Sequence, residues 1–251
     1  MSSRITAITS GKGGVGKTFV AANLAAALAR RGRRVLVLDA DLGLANLDVV
    51  LNLFPKITLH DVFTGKATLA EAMLPAPGGF TALLAGSGMV EYSRMTPEVR
   101  EQLQNVISEV APKYDHVLLD TGAGISDVVL YTISLAGDAV VVVTPEPTSM
   151  TDAYATIKVL ATTQGRRELR VLVNQVRRPG EGRAVRQQLQ AVVDRYVNPG
   201  LDSPVRLNLL GEVPTDSAVR EAVLKRQLLM EALPGAPAAV AVAAAAAQLP
   251  E

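Results

Sequence analysis

Short blocks rich in branched side chains punctuate the chain at positions 5–9, 35–38, 117–119, 140–143 and 171–173. Each block is unbroken rather than alternating, the pattern of a strand covered on both faces. Helix-length segments lie between them. Residues 17–31 are rich in Ala and Leu and stop at Gly32, a natural C-terminal cap, and residues 96–110, 126–135 and 148–163 read similarly. The order is therefore β, α, β, α. Right-handed crossovers then predict an α/β fold with a mostly parallel twisted sheet, helices on both faces and ligands at the carboxyl ends of the strands.

Two regions depart from this rhythm. Residues 42–79 hold weakly periodic pieces with Pro55, Pro75, Pro77, Gly78 and Gly79, which predicts loops and small helices over one end of the sheet. Residues 234–250 are Ala-rich and bracketed by prolines, and are expected to form a final helix packed on the body. No internal repeat is evident. A single domain over residues 1–251 is expected.

Composition narrows the class. With 49% hydrophobic and 20% charged residues, the balance is that of a soluble α/β protein. A net charge of +1 advertises neither a nucleic-acid nor an acidic-surface partner for the molecule as a whole. The absence of cysteine removes disulfides, thiolate metal sites and cysteine nucleophiles together, and fits a reducing cytosol. Met1 leads into a strand-like run with no room for a signal peptide, and no segment has the roughly 18 apolar residues of a membrane span. A cytoplasmic location is expected, with peripheral contact at the inner face of the cell membrane as an open alternative.

Chemistry concentrates after the first block. Gly11, Lys12, Gly13, Gly14, Val15, Gly16, Lys17 and Thr18 fit G-x-x-x-x-G-K-[ST], and they stand where that motif belongs, between a strand and a helix. The glycines let successive backbone N–H groups face one anion, and the helix that follows adds its positive end. Lys17 is expected to reach the β and γ phosphates and Thr18 to ligate Mg²⁺, with Phe19 completing the binding segment. A chance glycine-rich turn is the alternative, and the flanking elements argue against it. Asp39 and Asp41 lie just beyond the second block, and Asp120, Thr121, Gly122, Ala123 and Gly124 beyond the third. Lys12 sits on a loop whose backbone already wraps the phosphates, so it is poorly placed to duplicate Lys17 and can reach outward instead.

The pattern K-G-G-x-G-K-T resembles the deviant Walker A motif of the MinD/ParA class of ATPases. The resemblance implies ATP/ADP and Mg²⁺ as cofactors and a homodimer when ATP is bound. It makes Lys12 a charge supplied in trans to the other subunit's nucleotide, and it has Asp41 position or polarise the attacking water. Asp39 becomes an outer partner of magnesium, although a capping role competes. Asp120 becomes the Walker B acid, and the Gly124 region a sensor of the γ phosphate. Asn174, Pro214 and Asp216 fall where family members approach adenine, and ordinary turn chemistry explains them too.

The similarity runs from residue 5 to about 233. "DADLGLANLDVVLNL", "LLDTGAGISD" and "TPEPTSMTDAYATIK" look most like the FlhG-type MinD-like ATPases that control flagellar number and placement. That implies slow, partner-stimulated hydrolysis and protein partners in the flagellar or positioning machinery, with Glu146 and Asp152 on the dimerising face. With a start this close to the first strand, stimulation of a partner GTPase through an N-terminal extension, as such proteins commonly perform, is not expected. No Lys or Arg follows Arg226, so the tail gives weak support for a membrane contact and is expected to pack on the core. A ParA-like DNA-partition ATPase and a division-site MinD are the rival readings. Arg177, Arg178, Arg183 and Arg186 could touch phosphates, but with Glu181 among them a solvated helix face is favoured, and nucleic acid is not an expected partner. His60 and His116 carry no assigned chemistry, and no metal beyond Mg²⁺ is expected.

Overall fold

The unbroken apolar blocks are the inner strands of one eight-stranded sheet. The computed structural model describes residues 3–43, 45–86 and 94–250. In chain order the elements are β1 (Arg4–Ser10), α1 (Lys17–Arg30), β2 (Val35–Ala40), α2 (Leu47–Leu51), α3 (Leu59–Phe63), α4 (Leu69–Ala72), β3 (Met73–Pro75), β4 (Thr81–Leu83), α5 (Pro97–Val110) and β5 (His116–Ala123). They continue as α6 (Asp127–Ser134), β6 (Asp138–Val143), α7 (Pro147–Thr163), β7 (Glu168–Val176), α8 (Glu181–Tyr196), β8 (Arg206–Pro214), α9 (Ser217–Leu224), α10 (Leu229–Ala232) and α11 (Pro237–Ala246).

The strands lie in the order β3-β4-β2-β5-β1-β6-β7-β8, and every pair is parallel except β3 with β4. The expected mostly parallel sheet is thus present. β1 sits between β5 and β6, where the winding reverses and a crevice opens at the carboxyl ends. Alternate residues of each inner strand feed opposite cores. Leu36, Leu38, Val117 and Leu119 pack with α5, α6, α7 and α8, whereas Val35, Val37, Leu118 and Val140 pack with α1, α10 and α11. Burial on both faces is why these strands read as continuous apolar runs.

Helix ends follow local chemistry. Thr96 and Ser126 accept from the backbone N–H groups of Val99 and Val129, capping α5 and α6. Gly32 takes a φ of 78° after α1. Residues 19–28 of α1 are all buried, because α11 covers the side that the sheet leaves open. The Ala-rich helix occupies Pro237–Ala246 rather than all of 234–250, since Pro237 takes the first helical position. Its small side chains allow close approach to β8: a Cβ at Gly211 would lie 3.0 Å from that of Ala245. The tail therefore packs on the core, as expected.

The described residues of the 42–79 region form three short helices, and β3 near its end joins β4 at the sheet edge. The turn after α7 holds the second half of α6 and the residues that follow it. Gln164 Nε2 donates to Leu130 O at 2.7 Å, Arg166 Nη2 donates to Ile133 O and Ala136 O, each at 2.6 Å, and Arg166 Nη1 donates to Gly137 O at 3.3 Å.

Candidate active site

The loop from β1 to α1 turns through two glycines in the left-handed region, Gly14 at φ 78° and Gly16 at φ 91°. Gly16 is the N-cap of α1, and neither a capping side chain nor an acid occupies the first turn. The first N–H groups of α1 therefore face the crevice together with the helix dipole. The crevice is a cavity of about 790 Å³ whose walls include Gly14, Lys17, Thr18, Asp41, Thr121 and Gly122. Val15 and Phe19 are buried in the core, with Phe19 also lining the crevice. Gly11 packs so closely on α7 that a Cβ there would lie 2.1 Å from Asp152 O.

Parallel pairing brings the acids together. Asp39 on β2 is the register partner of Asp120 on β5, and both are buried. Burial raises the Asp120 carboxyl to about 7, against the Thr18 hydroxyl and Lys17, which pull it down. Lys17 is itself lowered by burial, with Asp120 and Asp41 acting in the opposite sense. Asp39 is pushed well above the ordinary carboxylate range by burial and by Asp120. It accepts hydrogen bonds from the N–H groups of Leu47 and Asp41, both at 3.2 Å, so the capping geometry expected as the alternative is realised at α2. Asp41 faces Gly122: a Cβ on that glycine would lie 3.4 Å from the Asp41 carboxylate. Gly124, at φ 89°, donates its N–H to Ser10 O at 2.8 Å, joining the loop after β5 to the root of the phosphate loop.

Within the single chain, Lys12 is held by α7. Its Nζ donates to Glu146 Oε2 at 3.0 Å and to Thr148 Oγ1 at 3.1 Å, because the N-cap of α7 offers a carboxylate within reach. Thr148 was not anticipated, and only its place beside Glu146 could have flagged it. Ser10, whose hydroxyl donates to Lys12 O at 2.7 Å, was likewise missed despite adjoining the motif.

The three residues assigned to the base stand at the adjoining carboxyl ends of β7 and β8, where Val176 is the register partner of Pro214. Asn174 is buried and donates from Nδ2 to Val15 O at 2.8 Å, inside the phosphate loop. Asp216 accepts from Ala218 N at 2.9 Å and from Ala238 N at 3.1 Å, capping α9 and holding the start of α11. Pro214 ends β8, beside a bond from Thr215 N to Val176 O. Among the described residues no cluster of three or more His, Cys, Asp or Glu is arranged to hold a metal.

Residues 6–229 match the model of the CobQ/CobB/MinD/ParA nucleotide binding domain. The antiactivator FleN of Pseudomonas aeruginosa is 43% identical over 243 residues, covering 97% of this chain and 85% of that protein. The flagellum site-determining protein YlxH of Helicobacter pylori is 34% identical over 233 residues, covering 92% and 76%. The solved septum site-determining protein MinD of Pyrococcus horikoshii, complexed with Mg-ADP, superposes with a TM-score of 0.76 at 31% identity, covering 97% of this chain and 94% of that one. A glycine loop feeding a helix N-terminus, two acids paired across its flanking strands and a family match over nearly the whole length converge on one conclusion: the chain belongs to the CobQ/CobB/MinD/ParA nucleotide-binding family.

Proposed function

We propose that this protein is an ATPase that works as a dimerisation switch and regulates the number or placement of flagella. The carrying observation is the convergence of Lys17, Thr18, Asp41 and Asp120 on one crevice at a helix N-terminus. The similarity to FleN and YlxH supports the flagellar reading over the partition and division-site alternatives.

The donor set fits magnesium. Asp120 Oδ1 is buried with no hydrogen-bond partner, and it stands beside the Thr18 hydroxyl, so hard oxygen donors converge on one point. Thr18 and Asp120 would hold the ion, with Asp39 behind them. Bound there, Mg²⁺ supplies charge neutralisation across the β and γ phosphates. The loop N–H groups and Lys17 bind and orient the triphosphate. Asp41, at the crevice wall beside Gly122, orients the attacking water and accepts its proton. Lys12 exchanges Glu146 and Thr148 for a phosphate of the second subunit, and the protein partners of the assembly read the dimer.

A shift from mostly monomer to mostly dimer requires about 5 kcal/mol of differential binding. A few charge-assisted hydrogen bonds in a dry interface supply that much. Chromatography with light scattering tests the reading: mass is expected to double with a non-hydrolysable ATP analogue and Mg²⁺ and to stay monomeric with ADP. Equal masses in the two states would refute the switch.

A further inference from the structure

β8 is the last strand of the sheet, with a neighbour only on its β7 side. Arg206 N donates inward, to Arg167 O at 2.7 Å, whereas Leu207 N turns outward and donates to Gln190 Oε1 at 2.8 Å. Gln190 Nε2 also donates to Val205 O at 2.9 Å, so α8 closes the first part of this edge. Alternation along the strand turns the N–H and C=O of Leu209 the same way as those of Leu207. Among the described residues no side chain meets the Leu209 amide as Gln190 meets that of Leu207. Leu209 lies instead in a groove of about 710 Å³ between two helices. Ala241, Ala244 and Ala245 of α11 make one wall, which is small and apolar. Pro179, Gly180 and Arg183, at the start of α8, make the other.

The α8 wall is positive. Arg177, Arg178, Arg183 and Arg186 cluster at this end of the helix, and the carboxylates among them are engaged by backbone amides. Glu181 accepts from Arg177 N at 2.6 Å, and Glu212 accepts from Gly180 N at 3.1 Å and from Gly182 N at 2.9 Å. Arg178 and Arg183 are exposed and have no ion-pair partner among the described residues.

We propose that this groove docks an extended segment of a partner protein, which adds to β8 as a further strand with alternate side chains apolar toward α11 and acidic toward Arg183. Successive side chains of a strand point to opposite faces, which suits two walls of unlike chemistry. Backbone pairing supplies affinity and the walls supply specificity. A second copy of this chain, paired edge to edge, would instead set the same arginines against each other.

Fluorescence anisotropy with the full chain and short labelled peptides tests the site. A peptide alternating Glu and Val is expected to bind, and one alternating Lys and Val is not. Leu209→Pro removes an outward N–H, a change that an edge strand tolerates, and should weaken the Glu–Val peptide about fivefold, the scale of one hydrogen bond. Arg183→Glu should weaken it by at least as much. If Leu209→Pro does not fold, as read from its melting curve, Ala244→Glu on the exposed side of α11 is expected to block the groove in its place. Amide exchange at Leu209 should slow when the Glu–Val peptide is added, while that at Arg206 stays unchanged. No binding by the wild type, equal binding of the two peptides, or undiminished binding by the variants overturns the proposal. So does release of the peptide by duplex DNA, which would make the arginines a nucleic-acid surface. A mass that doubles without nucleotide or peptide, and reverts in Leu209→Pro, would make a second copy the occupant and overturn it as well.

Discussion

Lys12 and Glu146 form an ion pair within one chain, Nζ to Oε2 at 3.0 Å, joining the phosphate loop to the cap of α7. Both side chains are more than one-third exposed, so the pair is weak, on the order of 1 kcal/mol at most. A lysine held this lightly can be given up to a stronger anion.

Breaking the pair from either side has opposite consequences. Lys12→Ala is expected to bind nucleotide yet remain monomeric with a non-hydrolysable ATP analogue. Glu146→Gln should tighten ATP-dependent dimerisation by up to about fivefold, because the lysine then has only neutral partners to leave. Sedimentation across a concentration series measures both, and dimerisation of Lys12→Ala at the wild-type concentration would remove its role in trans.

Asp41→Ala should slow ATP hydrolysis by about 100-fold or more, the scale of losing a positioned proton acceptor. Phosphate release assays check the rate, and the same sample is expected to persist as an ATP-bound dimer on size exclusion.

Asp120 gives a pH signature. Folded, its carboxyl keeps a proton up to about 7, whereas unfolded it releases it near 3.8. The folded state thus holds the extra proton between those limits, so stability without Mg²⁺ is greatest below them and falls as pH rises through 7. Asp39, also raised, acts in the same direction. Melting temperature in EDTA should therefore drop between pH 5 and pH 8, and Asp120→Asn should flatten that slope while abolishing Mg²⁺ binding. A slope unchanged in the variant would show that other groups control it.

Gly11→Ala forces a methyl against the α7 backbone at Asp152 O, where nothing flexible can yield. The expected cost is about 2–3 kcal/mol, the upper range for overpacking, with loss of nucleotide binding. Denaturant titration measures the first and calorimetry the second.

Asp216→Ala separates capping from base recognition. Two backbone amides lose their acceptor, which should cost about 1–2 kcal/mol of stability with nucleotide affinity retained. Loss of affinity at constant melting temperature would restore Asp216 to the base pocket.

The sheet interior was legible because residues such as Leu36 and Val37 are buried on opposite faces and leave no polar gap. β3 and β4, three residues each, carry no periodic signal, and β8 mixes exposed and buried positions as an edge strand does. The phosphate loop could be read because its function needs a fixed local spacing. Asn174, Glu146 and Asp216 could not be placed so firmly, since their partners lie 159, 134 and 22 residues away in sequence and only folding selects among the available donors and acceptors.

The side chains of Gln164 and Arg166 donate to four carbonyls, those of Leu130 and Ile133 in α6 and of Ala136 and Gly137 just after it, while the first turn of α6 follows directly on the loop that leaves β5. A helix fastened at its tail swings like a needle on a pin. Over a lever of about 12 Å, a one-ångström displacement at Ser126 becomes a rotation of roughly 5°. The angle between the α6 axes of ADP-bound and ATP-bound forms would therefore serve as a protractor for events at the phosphate.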